Sequence, residues 1–401
     1  MKLYKKHVSD LGKVITGKTP RTSILENYGG KIPFLTPSDN LSEKFSPTTS
    51  KTLTKIGLNE VKNCLLPSKS ICVSCIGSDL GKVVLTKKPT VTNQQFNSIV
   101  PNEENDADFI YYLMAVVGKH LNYLSKTSTA VPIINKSTFA NYEIEIPNIK
   151  EQKRIGEILS SLDDKIELNR RINDNLEQQA QALFKSWFVD FEPFKDRKFV
   201  DSELGMIPEG WQVEELGNIT NSITEKVGKR TDVKVLSPVN TGDLLLSEEY
   251  FTKQVYSKNL AKYIMVAPND FAYNPARINI GSIGMNTFDL SGCVSPVYVV
   301  FRCEKEYHHF FNIFKATKNF KEEVNTRAIG GVRQTLSYKD FSLIKIVYPP
   351  KEAVEQFNKI YSHIMTLIKK NILENKRLHQ TRDILLPKLM SGELKINDIN
   401  N

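Results

Sequence analysis

Residues 12–19 read GKVITGKT and match the pattern of a phosphate-binding loop, in which glycine amides cradle phosphate oxygens and a lysine neutralises them. A working loop of this kind follows a buried strand and opens a helix. Here residues 8–11 make a poor strand, and Pro20 biases Thr19 away from helical backbone. We therefore expect no nucleotide site, and a P-loop NTPase is kept only as an alternative function.

Cys72 and Cys75 have the spacing of a metal knuckle or a redox pair. No second Cys or His pair follows at ligand distance, and both residues lie in an apparent strand. Residues 273–276, YNPA, are similar to the target-base motif of adenine methyltransferases but lack its second proline and its aromatic residue. The sequence predicts buried reduced thiols, no metal and no catalytic centre.

Polar loops rich in Arg, Lys, Asn, Gln, Ser and Thr remain. These side chains fork onto adenine or guanine edges and clasp phosphates, although each loop alone has ordinary surface composition. The DNA-contact candidates in the first half are Lys18, Arg21, Thr36, Ser38, Lys82, Gln94 and Gln95. Those in the second half are Lys229, Arg230, Asn240, Arg277, Asn279, Arg327, Arg333 and Gln334.

The elements that carry these loops occur twice. Phe139 corresponds to Phe341 and Pro147 to Pro349, a displacement of 202 positions that persists without a gap to Leu183 and Leu385. Each repeat is far longer than a solenoid unit. Short apolar runs broken by Gly, Pro, Asn and Ser precede each matching segment and predict strands and loops with one helix per half, near residues 107–123 and 308–320.

The two matching segments predict long helices. The first has Asn148 as N-cap with Glu151 three residues later, and it should run to about Asp190. The second follows Pro350 and should end or kink at Pro387. We predict an α+β chain with these divisions: 1–147, recognition domain 1; 148–192, first long helix; 193–348, linker and recognition domain 2; 349–401, second long helix and tail.

Both helices carry a heptad seam interrupted by two asparagines, Asn169 and Asn173 in the first and Asn371 and Asn375 in the second. Antiparallel pairing would place Asn169 opposite Asn375 and Asn173 opposite Asn371, which fixes the register. Only Leu162 opposite Arg382 is unfavourable. A helix of roughly 40 residues spans about 60 Å, so we expect a spacer between the recognition domains; two independent amphipathic helices are the alternative.

The net charge of +9 and the pI near 9.0 favour an anionic partner, either nucleic acid or a membrane surface. The longest apolar stretch, near residues 297–301, is too short to cross a bilayer, and residues 1–10 do not resemble a cleavable leader. We expect a cytoplasmic protein, and we favour nucleic acid over a membrane surface as its partner.

Three phrases, WFVDFEP at 187–193, GMIPEGW at 205–211 and LLPKLMSGEL at 385–394, together resemble the specificity subunits of type I restriction-modification enzymes. The resemblance covers the whole chain. It implies two target-recognition domains, each reading one half of an interrupted sequence in double-stranded DNA, and an antiparallel helix pair that docks two modification subunits. Base-reading residues vary within that family and are not carried over.

The resemblance further implies that S-adenosylmethionine and ATP bind to partner modification and restriction subunits and that this chain holds no cofactor. The chain would then be a non-catalytic reader. A complex without a restriction subunit stays open. The structural alternative is a coiled-coil adaptor that binds only protein.

Overall fold

The computed structural model describes residues 1–45, 48–125, 133–251, 254–328 and 335–394. The chain divides into two compact units: unit 1 comprises residues 1–171 and 371–401, and unit 2 comprises residues 172–370. Each long helix therefore contributes one part to each unit. The architecture is α+β, as the sequence predicts.

Unit 1 contains two four-stranded sheets of order β2-β9-β6-β7 and β4-β3-β8-β5, and β1 pairs with β10. Its elements are β1 (Tyr4–His7), β2 (Gly12–Thr16), β3 (Tyr28–Leu35), β4 (Lys51–Leu53), α1 (Lys55–Glu60), β5 (Leu65–Leu66), β6 (Ile71–Ser74), β7 (Val83–Leu85), β8 (Thr90–Thr92), β9 (Phe96–Pro101), α2 (Ala107–Ser125), α3 (Lys136–Ala140) and β10 (Glu143–Ile146), followed by the first long helix, α4 (Ile149–Phe188).

Unit 2 repeats this plan, with sheets of order β14-β21-β18-β19 and β16-β15-β20-β17 and with β13 paired to β22. Its elements are β11 (Phe199–Val200), β12 (Ile207–Pro208), β13 (Gln212–Glu215), α5 (Leu216–Ile219), β14 (Thr220–Ile223), β15 (Lys234–Pro238), β16 (Leu244–Leu246), α6 (Ser247–Tyr250), β17 (Ile264–Val266), β18 (Phe271–Tyr273), β19 (Ile283–Met285), β20 (Gly292–Val294), β21 (Val299–Cys303), α7 (His308–Phe314), α8 (Lys318–Arg327), α9 (Tyr338–Ser342) and β22 (Lys345–Tyr348), followed by the second long helix, α10 (Lys351–Ser391).

The sheets of the two units correspond strand for strand, so β2 matches β14, β3 matches β15, β6 matches β18 and β9 matches β21. In each unit, one strand that precedes the two sheets in the sequence pairs antiparallel with one strand that follows them. Tyr4 pairs with Ile146 in unit 1, and Gln212 pairs with Tyr348 in unit 2. The repeat in the sequence is therefore a repeat of the whole fold.

The core of unit 1 joins its recognition domain to both long helices. Ile155 and Leu159 of α4 and Leu386 and Leu389 of α10 are buried in one apolar cluster with α2. Full burial of a leucine stabilises the folded state by about 1.5 to 3 kcal/mol. Met1 packs at the edge of this cluster, and its side chain lies beside Gly392.

The core of unit 2 is aromatic. Phe184 and Phe188 of α4 pack on Phe357 of α10 and Phe310 of α7, with ring centroids 5.0 to 6.1 Å apart. Such ring pairs stabilise a core by about 0.5 to 1.5 kcal/mol beyond the burial of their area. Unit 2 thus holds its recognition domain on the two helices by ring packing.

The long helices run antiparallel in each unit, as predicted. In unit 1 the Nδ2 of Asn169 donates to Oδ1 of Asn375 at 2.9 Å, and the Nδ2 of Asn375 donates to the Ile166 carbonyl at 3.3 Å. In unit 2 the Nδ2 of Asn173 lies 3.5 Å from the carbonyl of Ile368. Asn371 lies in the part of α10 that belongs to unit 1.

Three sequence predictions are wrong in detail. The predicted helix 308–320 is two helices, because Thr317 accepts a hydrogen bond from the Phe320 amide and starts α8. The second long helix does not end at Pro387, because α10 passes through this residue and the burial of Leu386 and Leu389 offsets the roughly 3 kcal/mol that an interior proline costs. A kink at Pro387, the other predicted outcome, stays a prediction.

The third concerns Arg382, which does not face an apolar residue. Its Nη1 donates to Oδ1 of Asp163 at 2.7 Å. Asp163 is buried whereas Leu162 is only partly buried. A straight α-helix has 3.6 residues per turn and therefore rotates gradually relative to a 3.5-residue repeat. Because of this rotation, residue 163 faces the other long helix in place of residue 162.

Candidate nucleic-acid interface

The ends of several strands meet at one edge of unit 1. The register pairs Thr16 with Asn97 and Ser74 with Phe96, so the carboxyl ends of β2 and β6 flank the beginning of β9. In the other sheet β3 and β8 run parallel and end side by side. The loops 17–21, 36–40, 75–82 and 93–95 therefore converge, and we call them the loop edge of unit 1.

Hydrogen bonds join these loops. The Lys18 amide donates to the Thr92 carbonyl at 2.9 Å, and the Thr19 hydroxyl donates to Oε1 of Gln94 at 2.6 Å. Oε1 of Gln95 accepts from the side chain of Asn93 at 2.9 Å. The Lys18 and Gln94 side chains are exposed. The loop edge thus exposes the Lys18 ammonium group and the Gln94 amide on loops that are joined by hydrogen bonds.

The loop 36–40 is held by its own polar groups. Asp39 accepts hydrogen bonds from the Thr36 amide at 2.7 Å and from the Thr36 hydroxyl at 3.1 Å, and the hydroxyls of Thr36 and Ser38 lie 2.7 Å apart. The Asn93 amide donates to the Leu35 carbonyl at the start of this loop. Thr36 and Ser38 therefore lie near the Gln94 loop.

Two predicted contact residues are paired with carboxylates. The guanidinium of Arg21 donates to Oε1 of Glu60 at 2.7 and 3.0 Å, and these hydrogen bonds hold the pKa of Glu60 at about 2. Lys82 forms an ion pair with Asp79 at 2.7 Å. Both cations remain exposed to solvent, but each already forms an ion pair with a carboxylate of unit 1.

The residues that mimic a phosphate-binding loop do not form one. The amides of Gly17 and Lys18 donate to the carbonyls of Phe96 and Thr92, and residues 17–20 form no helix. Those amides are therefore engaged within the sheet. Cys72 and Cys75 are buried free thiols, and burial raises the pKa of Cys72 to about 12 and that of Cys75 to about 11.

The equivalent edge of unit 2 is formed in the same way. Ile223 pairs with Val300 and Tyr273 with Val299, so β14 and β18 end beside the beginning of β21. The Ser282 hydroxyl donates to the Pro238 carbonyl at 2.8 Å and ties the two sheets together. The loops 224–233, 239–243, 274–282 and 295–298 form the loop edge of unit 2.

The predicted residues of this edge differ in their partners. Arg230 donates to Glu225 at 2.8 Å, and Lys229 beside it is exposed. Asn240 is exposed, and its carbonyl lies against Gly281, where a Cβ would come within 2.7 Å. Asn279 is half-exposed in a short 3-10 turn.

Arg277 lies in the loop 274–282, and its side chain is exposed. Arg327 lies at the end of α8, where its Nε donates to Glu323 at 3.1 Å. Arg333 and Gln334 lie outside the described residues.

The loop 295–298 was missed by the sequence analysis. It takes the place that the loop 93–95 has in unit 1, between β20 and β21, and Tyr298 is partly buried there. The alignment of Phe96 with Tyr298 in the two repeats was the signal that could have found it.

Lys315 was missed as well. Its Nζ donates to the Gly242 carbonyl at 2.6 Å, and burial lowers its pKa to about 8. It therefore supports the turn that carries Asn240. A lysine at the end of a helix gives no sequence signal for such a role.

Two unlike sets of polar side chains at corresponding edges of one repeated scaffold are typical of a recognition protein. Among the described residues no group of His, Cys, Asp or Glu is arranged to hold a metal ion, and no helix is long and apolar enough to cross a membrane.

The chain is similar to the specificity subunits of type I restriction-modification enzymes. Residues 2–178 match the type I restriction modification DNA specificity domain. The type I restriction enzyme MjaIX specificity subunit of Methanocaldococcus jannaschii is 29% identical over 98% of this chain and 94% of that protein. The HindI specificity subunit of Haemophilus influenzae is 38% identical over 42% of this chain and 38% of its own.

A crystal structure of the type I restriction-modification S subunit from M. genitalium has the same fold, with a TM-score of 0.59 and 15% identity over 97% of this chain and 96% of that one. The resemblance seen in the sequence is confirmed. The relatives are named as specificity subunits of such systems and not as their catalytic subunits.

Proposed function

We propose that this chain selects the DNA target of a type I restriction-modification complex and that each loop edge reads one half of an interrupted sequence. The convergence of corresponding loops at corresponding strand ends, with different side chains in the two units, carries this proposal. The shared sheets would then provide the fold, and the divergent loop side chains would provide the sequence preference.

The candidate contacts fall into two groups. Lys18, Gln94, Lys229, Asn240 and Arg277 are exposed, and their side chains are not in described ion pairs. We assign base and phosphate contacts first to this group. Arg21, Lys82, Arg230 and Arg327 are held by carboxylates, so we assign them to shaping the loops and to the positive field around them.

The decisive experiment maps methylated adenines in cells that contain this chain and its cognate modification subunit. We expect one interrupted sequence with two defined parts. If the chain were an adaptor that binds only protein, methylation would show no sequence preference. An uninterrupted target motif would contradict the proposal that two loop edges each read one half-site. S-adenosylmethionine and ATP should bind to the assembled complex and not to this chain alone, which calorimetry can check.

Two modification subunits would require two similar docking surfaces, and each unit has a groove between the end of a long helix and the helix or helices that follow its sheets. The groove of unit 2 measures about 940 Å³ and that of unit 1 about 250 Å³. Six lining positions correspond at the displacement of the repeat: Tyr111 and Ile313, Tyr112 and Phe314, Ala115 and Thr317, Lys119 and Lys321, Asp383 and Gln181, Leu386 and Phe184.

We propose that these helix-end grooves each take the same segment of one modification subunit. Leu204 and Met206 line the groove of unit 2 and are 48% and 56% exposed, so they can be changed without opening the core. Apolar side chains left in water at a rim are typical of docking sites.

Native mass spectrometry of the purified complex tests this docking. Met206→Asp should leave one modification subunit bound in place of two, because an aspartate would have to be buried in an apolar interface. Val255→Asp is the control, since Val255 is 58% exposed in unit 2 and does not line the groove. Retention of both subunits by Met206→Asp would refute this docking site, and loss of both from a folded chain would indicate one shared site. We further propose that the complex acts in the cytoplasm.

A further inference from the structure

The arginines on the two loop edges differ in one respect. Arg21 and Arg230 on these edges, and Arg327 at the end of α8, each donate to a carboxylate. In the described part of the chain, the side chain of Arg277 has neither an ion pair nor a hydrogen bond. An exposed guanidinium without a partner keeps all five of its N–H donors for a ligand.

The backbone around Arg277 is firmly held. Its amide donates to the Asn274 carbonyl at 2.9 Å, and its carbonyl accepts from the Ser282 amide at 3.1 Å. The Asn274 amide donates to the Ser282 carbonyl at 3.0 Å and closes the loop, and Ile278 is buried in the core of unit 2. Because these hydrogen bonds already hold the loop, a contact from Arg277 costs less conformational entropy than a contact from a flexible loop would.

The surroundings of Arg277 suit a base edge. Gly281, in the same loop, has a φ of +95° and lies against the Asn240 carbonyl, so the Asn240 and Arg277 loops adjoin. Tyr298 is also near: burial raises the pKa of Tyr298, and the positive charge of Arg277 opposes that shift. The Arg277 cation, the Asn240 amide and the Tyr298 ring therefore lie on neighbouring loops.

We infer that Arg277 reads a guanine in the half-site bound by unit 2, an inference that rests on the proposed function. The guanidinium fork matches the two acceptors, O6 and N7, that guanine presents in the major groove. A lysine lacks this planar fork. The loop bonds hold the arginine in place without consuming its donors.

The corresponding position in unit 1 has no side chain. Gly81 and Gly281 are equivalent positive-φ residues, with φ of +86° and +95°, just before β7 and β19. Counting back four positions places Gly77 where unit 2 has Arg277. The guanine contact should therefore belong to one half-site only.

The test uses the complex of this chain with its modification subunits and a set of duplexes that differ at single positions of the mapped target. For the wild type we expect a preference for guanine of about tenfold to a hundredfold at one position of one half-site. Arg277→Ala and Arg277→Lys should abolish or sharply reduce that preference and leave every other position unchanged. Arg197→Ala should retain it, because Arg197 is an exposed arginine of unit 2 that lies outside the loop edge.

Salt titrations distinguish a base contact from a phosphate contact. If Arg277→Ala weakens binding to all duplexes equally and lowers the salt slope by about one, Arg277 contacts phosphate and the inference is wrong. An unchanged guanine preference also refutes it. If the wild-type complex has no sequence preference at any position, the proposed function itself fails, and this result is distinct from the other two.

Discussion

The guanidinium of Arg382 lies 2.7 Å from the carboxylate of Asp163 and joins the two long helices inside unit 1. The other carboxylate oxygen of Asp163 accepts the hydroxyl of Tyr112, from α2, at 2.5 Å. One buried carboxylate thus connects α4, α10 and the recognition domain of unit 1. Unit 2 has Met365 at the equivalent position and relies on aromatic packing.

Asp163→Ala should destabilise unit 1 by about 1 to 3 kcal/mol, because the buried Tyr112 hydroxyl would lose its acceptor and Arg382 would keep only its ion pair with the exposed Asp383. Urea unfolding, with a probe in unit 1, measures the effect. Lys165→Ala is a matched control that removes the exposed pair of Lys165 and Glu374 between the same helices, and it should cost less than about 1 kcal/mol. Equal effects would show that the Asp163 network contributes no special stability.

Changing Asn169 and Asn375 together to leucine should leave the helices paired and allow more than one register, since an apolar seam does not penalise slippage. Methylation mapping should then find targets with more than one spacer length. Asn175→Leu, an exposed position on the same helix, should leave the spacer unchanged. A single fixed spacer in the double variant would count against register control by this pair.

The lowered pKa of Lys315 predicts that the stability of unit 2 depends on pH. Its pKa is about 8 in the folded chain and near 10.5 when unfolded, so between these values the unfolded chain binds more protons. The contribution of Lys315 to stability should therefore rise as pH increases from about 8 to about 10.5. Thermal unfolding of Lys315→Met, compared with the wild type at both ends of this window, should show a smaller gain with pH. An identical gain would contradict the burial of the ammonium group.

Exchange of residues 1–148 for the same part of another specificity subunit should change one half-site only. The antiparallel pair of β1 and β10 closes this segment on itself, so the boundary lies outside its sheets. Methylation mapping of the hybrid is the measurement, and a change in both half-sites would refute independent reading.

The repeat and the long helices could be predicted because both depend on local periodicity. The alternation of apolar residues in α4 and α10 and the Asn148 cap, whose Oδ1 accepts from the Glu151 amide at 3.2 Å, are legible in the sequence. The pairing of Asn169 with Asn375 could be predicted because matched polar residues in two seams have few ways to be satisfied.

The loop edges and the partners of individual side chains could not be predicted. The meeting of Thr16 with Asn97, or of Glu60 with Arg21, depends on the order of strands in a sheet, which no short window of sequence contains. Asp163 and Arg382 escaped notice because the choice between residues 162 and 163 depends on a drift of the helix by a fraction of a turn.

Met1 packs beside Gly392, whereas the corresponding segments of unit 2 are joined covalently by residues 189–211. A fluorescent donor at residue 1 and an acceptor at residue 392 would therefore start in close proximity. Detachment of the last turns of α10 would separate the two dyes. Such a doubly labelled chain would report in real time whether the final helix stays seated while DNA is bound and released.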